Sequence, residues 1–86
     1  MYKVVYADAV EKDLKALDKP AAKKILDKIE HYLAKDPHTL GRQLVGEFKG
    51  FWRFRFGDYR VVYRIADKEI LIIVVRIAHR KDVYET

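Results

Sequence analysis

The stretch from Phe51 to Ile65, FWRFRFGDYRVVYRI, alternates too regularly to be read as anything but a pair of strands. Trp52, Phe54 and Phe56 share one parity, and Phe51, Arg53 and Arg55 share the other. Beyond Gly57-Asp58, Tyr59, Val61, Tyr63 and Ile65 alternate with Arg60, Val62 and Arg64. Successive strand residues point to opposite faces, so a strand sorts this pattern where a helix would scatter it. Gly57-Asp58 supplies a two-residue hairpin turn with glycine in the first central position. The pairing that follows sets Phe56 against Tyr59, Phe54 against Val61 and Trp52 against Tyr63, an aromatic face suited to a core. On the other face Arg55 opposes Arg60, Arg53 opposes Val62 and Phe51 opposes Arg64. Like charges directly opposite destabilise a sheet, by an amount within the ~0.2–1 kcal/mol range of cross-strand pairs. No acidic residue on that face of the hairpin compensates, and positions that break a local rule are expected to be functional.

The rest of the chain predicts what covers the aromatic face. Tyr2 to Tyr6 is β-branched and aromatic and reads as a first strand. Asp8 three residues before Glu11 resembles a capping box, and Val10, Leu14 and Leu17 follow at helical spacing. Asp18-Lys19-Pro20 ends that helix, with Pro20 suited to the first turn of a second one. Ala22, Ile25, Ile29 and Leu33 then form an apolar stripe up to Asp36-Pro37. His38 to Gly50, with three glycines, is a connection with no assigned structure. The run EILIIVVRIA follows a tight Asp67-Lys68 turn and is apolar on both faces, as a central strand would be. The expectation is an α+β fold in one domain spanning residues 1–86. Two N-terminal antiparallel helices pack on one face of a small, mostly antiparallel four-stranded sheet, in the order β-α-α-β-β-β.

Charge divides the chain in two. Met1 to Gly41 carries eight basic residues, all lysine, against seven acidic ones. Arg42 to Thr86 carries ten basic residues, seven of them arginine, against six acidic ones, for a net charge of +5 overall. Lysine on a helix commonly lines a solvated face, whereas the arginine fork suits phosphate or carboxylate. Arg80 and Lys81, just beyond the last strand, extend the same surface. Convergent arginines beside aromatics suit a polyanion, either nucleic acid or an acidic protein segment.

Other chemistry finds little footing. With no cysteine, thiolate chemistry and disulfides are excluded. There is no HExxH, P-loop or GxGxxG, so no metal or nucleotide cofactor is expected, and His31 and His38 have no partner ligand in view. No signal peptide or membrane span shows, which makes a soluble cytoplasmic protein the default. Asp58 and Asp67 read as turn residues, and Tyr2, Tyr6, Tyr59 and Tyr63 as core. Tyr84, an aromatic in a polar tail, fits no core periodicity.

GFWRFRFGDYRVVYRI followed by VVRIAHRKDVY resembles the RelE/ParE toxin superfamily, and specifically its RelE-like branch of messenger-RNA interferases. The resemblance spans nearly the whole chain. It implies the toxin of a type II toxin–antitoxin system, a metal-independent endoribonuclease that cleaves mRNA in the ribosomal A site and so inhibits translation. The RNA's own 2′-hydroxyl is the nucleophile, leaving a 2′,3′-cyclic phosphate and a 5′-hydroxyl. It also implies an acidic antitoxin as partner, and operator DNA reached only through that antitoxin. The catalytic positions carried over are Arg53, Arg55, Arg60, Arg80 and Tyr84, with Lys49, Arg64, His79 and Lys81 as RNA-binding positions. Founding members of the branch carry lysine where this chain has Arg53 and Arg55. Arginine stays protonated, so the general base is left open among His79, Lys81 and Tyr84. A ParE-like, gyrase-inhibiting toxin without nuclease activity and a non-catalytic RNA-binding relative are the alternatives.

Overall fold

A computed structural model of the chain describes residues 1–79. Strand β1 (Lys3–Tyr6) leads into helices α1 (Asp8–Lys15) and α2 (Lys19–His31), then a single helical turn, α3 (Pro37–Leu40). Strands β2 (Arg42–Gln43), β3 (Trp52–Phe56), β4 (Tyr59–Ala66) and β5 (Leu71–His79) follow. They form one sheet in the order β1-β5-β4-β3-β2, in which only the β1–β5 pairing is parallel.

The α+β expectation holds, but the sheet has five strands rather than four. The added strand lies inside the glycine-containing connection, where Arg42 pairs with Arg53 and Gln43 with Trp52. Two residues are too few to show a period, so no pattern announced it. Three local expectations also change. Asp8 lies inside α1 rather than capping it: Ala7 is the N-cap residue and no side chain caps the helix, while Asp8 and Glu11 sit in the first turn, where negative charge complements the helix dipole. The α2 stripe runs past the end of the helix, because Leu33 and Ala34 stay buried in a following 3₁₀ turn. The turn into β5 is also longer than Asp67-Lys68. It reaches Ile70, whose φ of 52° is a conformation rare for a β-branched residue. That carbonyl accepts a hydrogen bond from Lys3 N–H at 2.9 Å and so docks β1.

Val10, Ile25, Ile29 and Leu33 from the helical layer meet Phe54, Val61, Tyr63, Ile72, Val74 and Ile77 from the sheet. The pairing of β3 with β4 follows the predicted register from Phe56–Tyr59 to Trp52–Tyr63. β5 is apolar on both sides because its register against β4 shifts between Val62 and Tyr63, leaving Val75 as an extra residue. Ile72 and Val74 on one side of this bulge, and Ile77 on the other, all reach the core. Beyond Val74, where β1 no longer pairs with β5, Asp13 of α1 takes over. Its carboxylate accepts from Ile77 N–H (2.8 Å) and from Arg76 Nε and Nη2 (2.9 and 3.0 Å).

Two pins join the sheet to the segment after α2. The Tyr63 ring is fully buried and its hydroxyl donates to the Pro37 carbonyl at 2.7 Å. Burial pushes that hydroxyl's pKa well above its ordinary value. The ring passes so close to Gly41 that a Cβ there would collide with the hydroxyl oxygen. At the surface, Asp67 Oδ1 accepts from both Tyr2 hydroxyl (2.7 Å) and His38 Nε2 (2.8 Å), and the His38 ring stands edge-on to Trp52. The His38 and Tyr2 hydrogen bonds, in that order, hold the Asp67 carboxyl below the usual carboxylate range.

Two expectations follow. Gly41→Ala should destabilise the protein by about 1–3 kcal/mol in urea unfolding, as overpacking does. Tyr63→Phe should cost about 1 kcal/mol or more by leaving the Pro37 carbonyl without its donor. Asp67, with a lowered folded pKa, contributes stability that is present above the ordinary value of 3.8 and lost as pH falls through the folded value. The gap in urea midpoint between wild type and Asp67→Asn should therefore close as pH falls below the ordinary carboxylate range.

Candidate nucleic-acid interface

Because the hairpin register is fixed, the face of β2, β3 and β4 turned away from the helices is also fixed. Its residues lie in rows across the sheet. Arg55, Arg60 and Ala78 form the row nearest the Gly57-Asp58 turn. The next row runs Arg42, Arg53, Val62, Arg76. A third carries Arg64 beside Ile73, and the Arg64 guanidinium lies over the Phe51 ring, 5.6 Å from its centre. Neighbouring strands are about 4.8 Å apart, so opposed arginines are held within a side-chain length of each other. Among the described residues, the outer faces of β2, β3 and β4 carry no carboxylate.

Burial differs among these arginines. Arg55 and Arg64 are exposed, whereas Arg53 and Arg60 are half-buried with their Nε atoms enclosed by protein. Enclosing the stem restricts the rotamers of a side chain that otherwise carries ~2 kcal/mol of rotamer entropy, which fixes where the fork points. Val62, between them, is only 7% exposed.

The structure thus brings Arg53, Arg55, Arg60 and Arg64 onto one face. Lys49 is exposed in the loop entering β3, next to the 3₁₀ turn Gly46–Phe48 and two residues before Phe51. His79 is placed differently. It pairs with Tyr59 and its ring stands edge-on to that of Tyr59 at 5.3 Å, on the helix side of the sheet. There it lines a cleft of about 580 Å³ with Asp13, Asp18, Tyr59 and Arg76. Arg76 belongs to Asp13 through the bidentate pair described above. Arg80, Lys81 and Tyr84 lie outside the described residues.

Sequence reasoning missed Arg42. It directly opposes Arg53, making a second like-charge pair on the same face as Arg55–Arg60. The available signal was composition, since Arg42 is the first arginine of a chain whose earlier basic residues are all lysine. What this face offers chemically is a set of permanently charged, forked donors, which suits the oxygens of phosphate groups.

Known proteins resemble this chain in sequence and fold. Residues 4–84 match the family described as the ParE toxin of type II toxin–antitoxin systems, parDE. Toxin RelG of Mycobacterium tuberculosis is 29% identical over 83 residues, covering 96% of this chain and 95% of RelG. Toxin RelE of the same organism is 32% identical over 83 residues, covering 96% of this chain and 86% of that toxin. A chain in the crystal structure of the M. tuberculosis toxin–antitoxin complex RelBE2 superposes with a TM-score of 0.89 at 28% identity, over 94% of this chain and 93% of that one. With the arginine-bearing hairpin and the helix-covered sheet in place, the chain belongs to the RelE/ParE superfamily, the toxins of type II toxin–antitoxin systems.

Proposed function

We propose that this toxin is a RelE-type endoribonuclease that cleaves messenger RNA in the ribosomal A site and thereby stops translation. The observation that carries the reading is the Arg55–Arg60 pair, with Arg53 and Arg42 beside it, on a face without a carboxylate among the described residues. In the reaction the 2′-oxygen bonds to the adjacent phosphorus and the bond from phosphorus to the 5′-oxygen breaks. The products are a 2′,3′-cyclic phosphate and a 5′-hydroxyl. A base takes the 2′ proton, and the departing 5′-oxygen gains one. Negative charge grows on the non-bridging oxygens along the way, and guanidinium groups fixed in advance stabilise it without reorganising. Arg53, Arg55 and Arg60 take that role, joined by Arg80 from the family pattern. Tyr84 stacks on a base or orients the attacking hydroxyl. The general base is one of His79, Lys81 and Tyr84; the ring of His79 faces Tyr59 on the helix side of the sheet.

The natural partner in this reading is an acidic antitoxin that neutralises the arginine face, as the antitoxin partner in the RelBE2 complex pairs with its toxin. Operator DNA is reached only through that antitoxin, and the toxin acts in the cytoplasm. Among the described residues no helix is long and apolar enough to cross a membrane. The matching family is described by its ParE members, which keeps a second reading in play: a toxin directed at DNA gyrase, with the arginines holding a different anion.

Induction of the toxin followed by mapping of mRNA 5′ ends tests the choice. A ribonuclease gives rapid translational arrest and new 5′-hydroxyl ends inside reading frames. Arg60→Ala should remove about 2.7–4 kcal/mol of transition-state stabilisation if it acts like a donor to an oxyanion, a rate loss of roughly 10²–10³. Intact messages with DNA damage would instead assign the protein to the gyrase-directed branch. A trade-off should accompany this loss. Arg55→Thr should raise stability by about 0.2–1 kcal/mol by relieving the like-charge pair, while weakening growth arrest; a variant both less stable and fully toxic would contradict the role given to that pair.

A further inference from the structure

We propose that Asp13 is a positioning residue for Arg60: from helix α1 it pins the end of β5 in the register that flanks the Arg55–Arg60 pair. The proposal rests on the ribonuclease reading and adds to it a residue that lies off the arginine face.

The end of β5 has few supports. β1 pairs with β5 only from Leu71 to Val74. The bulge at Val75 follows, so Arg76–His79 is held neither by the β1 ladder nor by the regular register upstream of it. Its strand partner is Tyr59–Val62 of β4, where Arg60 faces Ala78. Strand ends with one neighbour fray unless something ties them down.

Asp13 supplies that tie. Its carboxylate accepts from Ile77 N–H at 2.8 Å and from Arg76 Nε and Nη2 at 2.9 and 3.0 Å. One group thus grips the backbone of one residue and the side chain of the residue before it, which fixes both the height and the twist of the strand end. With Ile77 held, the small side chain of Ala78 lies beside Arg60. A slip of one residue would bring Ile77 or His79 there instead, and the bulkier side chain would displace the half-buried Arg60 stem.

Asp13 has an ordinary role available, as the acceptor that keeps the Ile77 N–H from being left unpaired. Its chemical type and its place argue for more. A neutral acceptor such as asparagine would satisfy that N–H. Asp13 is instead a carboxylate in the last turn of α1, where the helix dipole disfavours negative charge, and it is only 10% exposed. Positions that carry such costs are expected to be functional. The charge secures Arg76 through a forked pair of hydrogen bonds that a neutral side chain could not match.

The test is a double-mutant cycle between Asp13→Asn and Arg60→Ala, read in cleavage and in stability. Cleavage of messenger RNA on programmed ribosomes gives kcat and KM, and urea unfolding gives the stability. Asp13→Asn should lower kcat roughly tenfold or more and leave KM within about twofold, as misplacing a group that acts in the transition state does. In the Arg60→Ala background the same substitution should leave kcat within about twofold, while its effect on the urea midpoint persists. Ile29→Val, in the buried stripe of α2, is the control for lost stability and should leave kcat unchanged.

Equal losses of kcat in the two backgrounds would overturn the positioning role, because a general structural effect weakens cleavage whether or not Arg60 is present. So would an Asp13→Asn variant that cleaves like Ile29→Val, and so would a loss confined to KM. Cleavage by the wild type reports on the ribonuclease reading separately. A wild type that cleaves but shows no coupling between Asp13 and Arg60 removes only the positioning role. A wild type that leaves messages intact removes the ribonuclease reading, and the positioning role with it.

Discussion

The register between β3 and β4 is the constraint on which the rest of the molecule depends. A shift of β3 by one residue against β4 would turn Arg53 and Arg55 toward the helices and put Trp52, Phe54 and Phe56 on the outer face. Burying charged groups without partners is far costlier than any cross-strand preference, so the wrong register is strongly disfavoured. The turn at Gly57-Asp58 sets the register from one end; Gly57, with φ of 59°, adopts a backbone that few other residues accept. Tyr63 secures the other end. Its ring fills the core and its hydroxyl reaches Pro37 across the space that a side chain at Gly41 would occupy.

The second strand pair is fixed by a different device. β5 has to be apolar on both sides of its bulge and must also end the sheet where β1 runs out. Val75 as an extra residue changes which parity faces inward, so Ile72, Val74 and Ile77 all contribute to the core despite their uneven spacing. The N–H of Ile77 finds its acceptor in the Asp13 carboxylate, which is itself 10% exposed and held by Arg76. A helix thereby completes the hydrogen bonding of a strand edge, and the sheet gains a protected margin where a sixth strand would otherwise have to lie.

These particulars show why some of the fold was legible and some was not. The hairpin was readable because its alternation is long, its turn residues are specific and both faces carry strong chemical labels. The helices were readable from their stripes, although the Asp8/Glu11 spacing pointed to a cap that the backbone of Ala7 replaces. β2 was hidden because two residues carry no period, and Arg42 with it, since its face is defined only by the partner it finds in β3. Asp13 and His38 were equally silent. Each acts through a contact between residues far apart in sequence, Asp13 with Ile77 and His38 with Asp67, and no local pattern encodes such a pair. The arginines of β3 and β4 stood out because they violate a pairing rule within a segment short enough to read.

That violation is inexpensive for this fold, for a reason that also bears on its chemistry. Fully burying a large apolar side chain contributes ~1.5–3 kcal/mol, whereas each like-charge pair costs at most about 1 kcal/mol. The inner residues of β4, Val61 and Tyr63, are completely buried directly beneath the arginine rows. Hydrophobic burial acts on one face and charge repulsion on the other, so the sheet holds the repelling groups together without compromise to its core. Arginine suits this arrangement better than lysine, because it cannot shed its proton to relieve the repulsion. A nuclease built on such a face keeps the same positive field across the physiological pH range. In the proposed ribonuclease reading, any pH dependence of the cleavage step therefore reports on the groups that take the 2′ proton and give one to the 5′-oxygen, and not on the arginines.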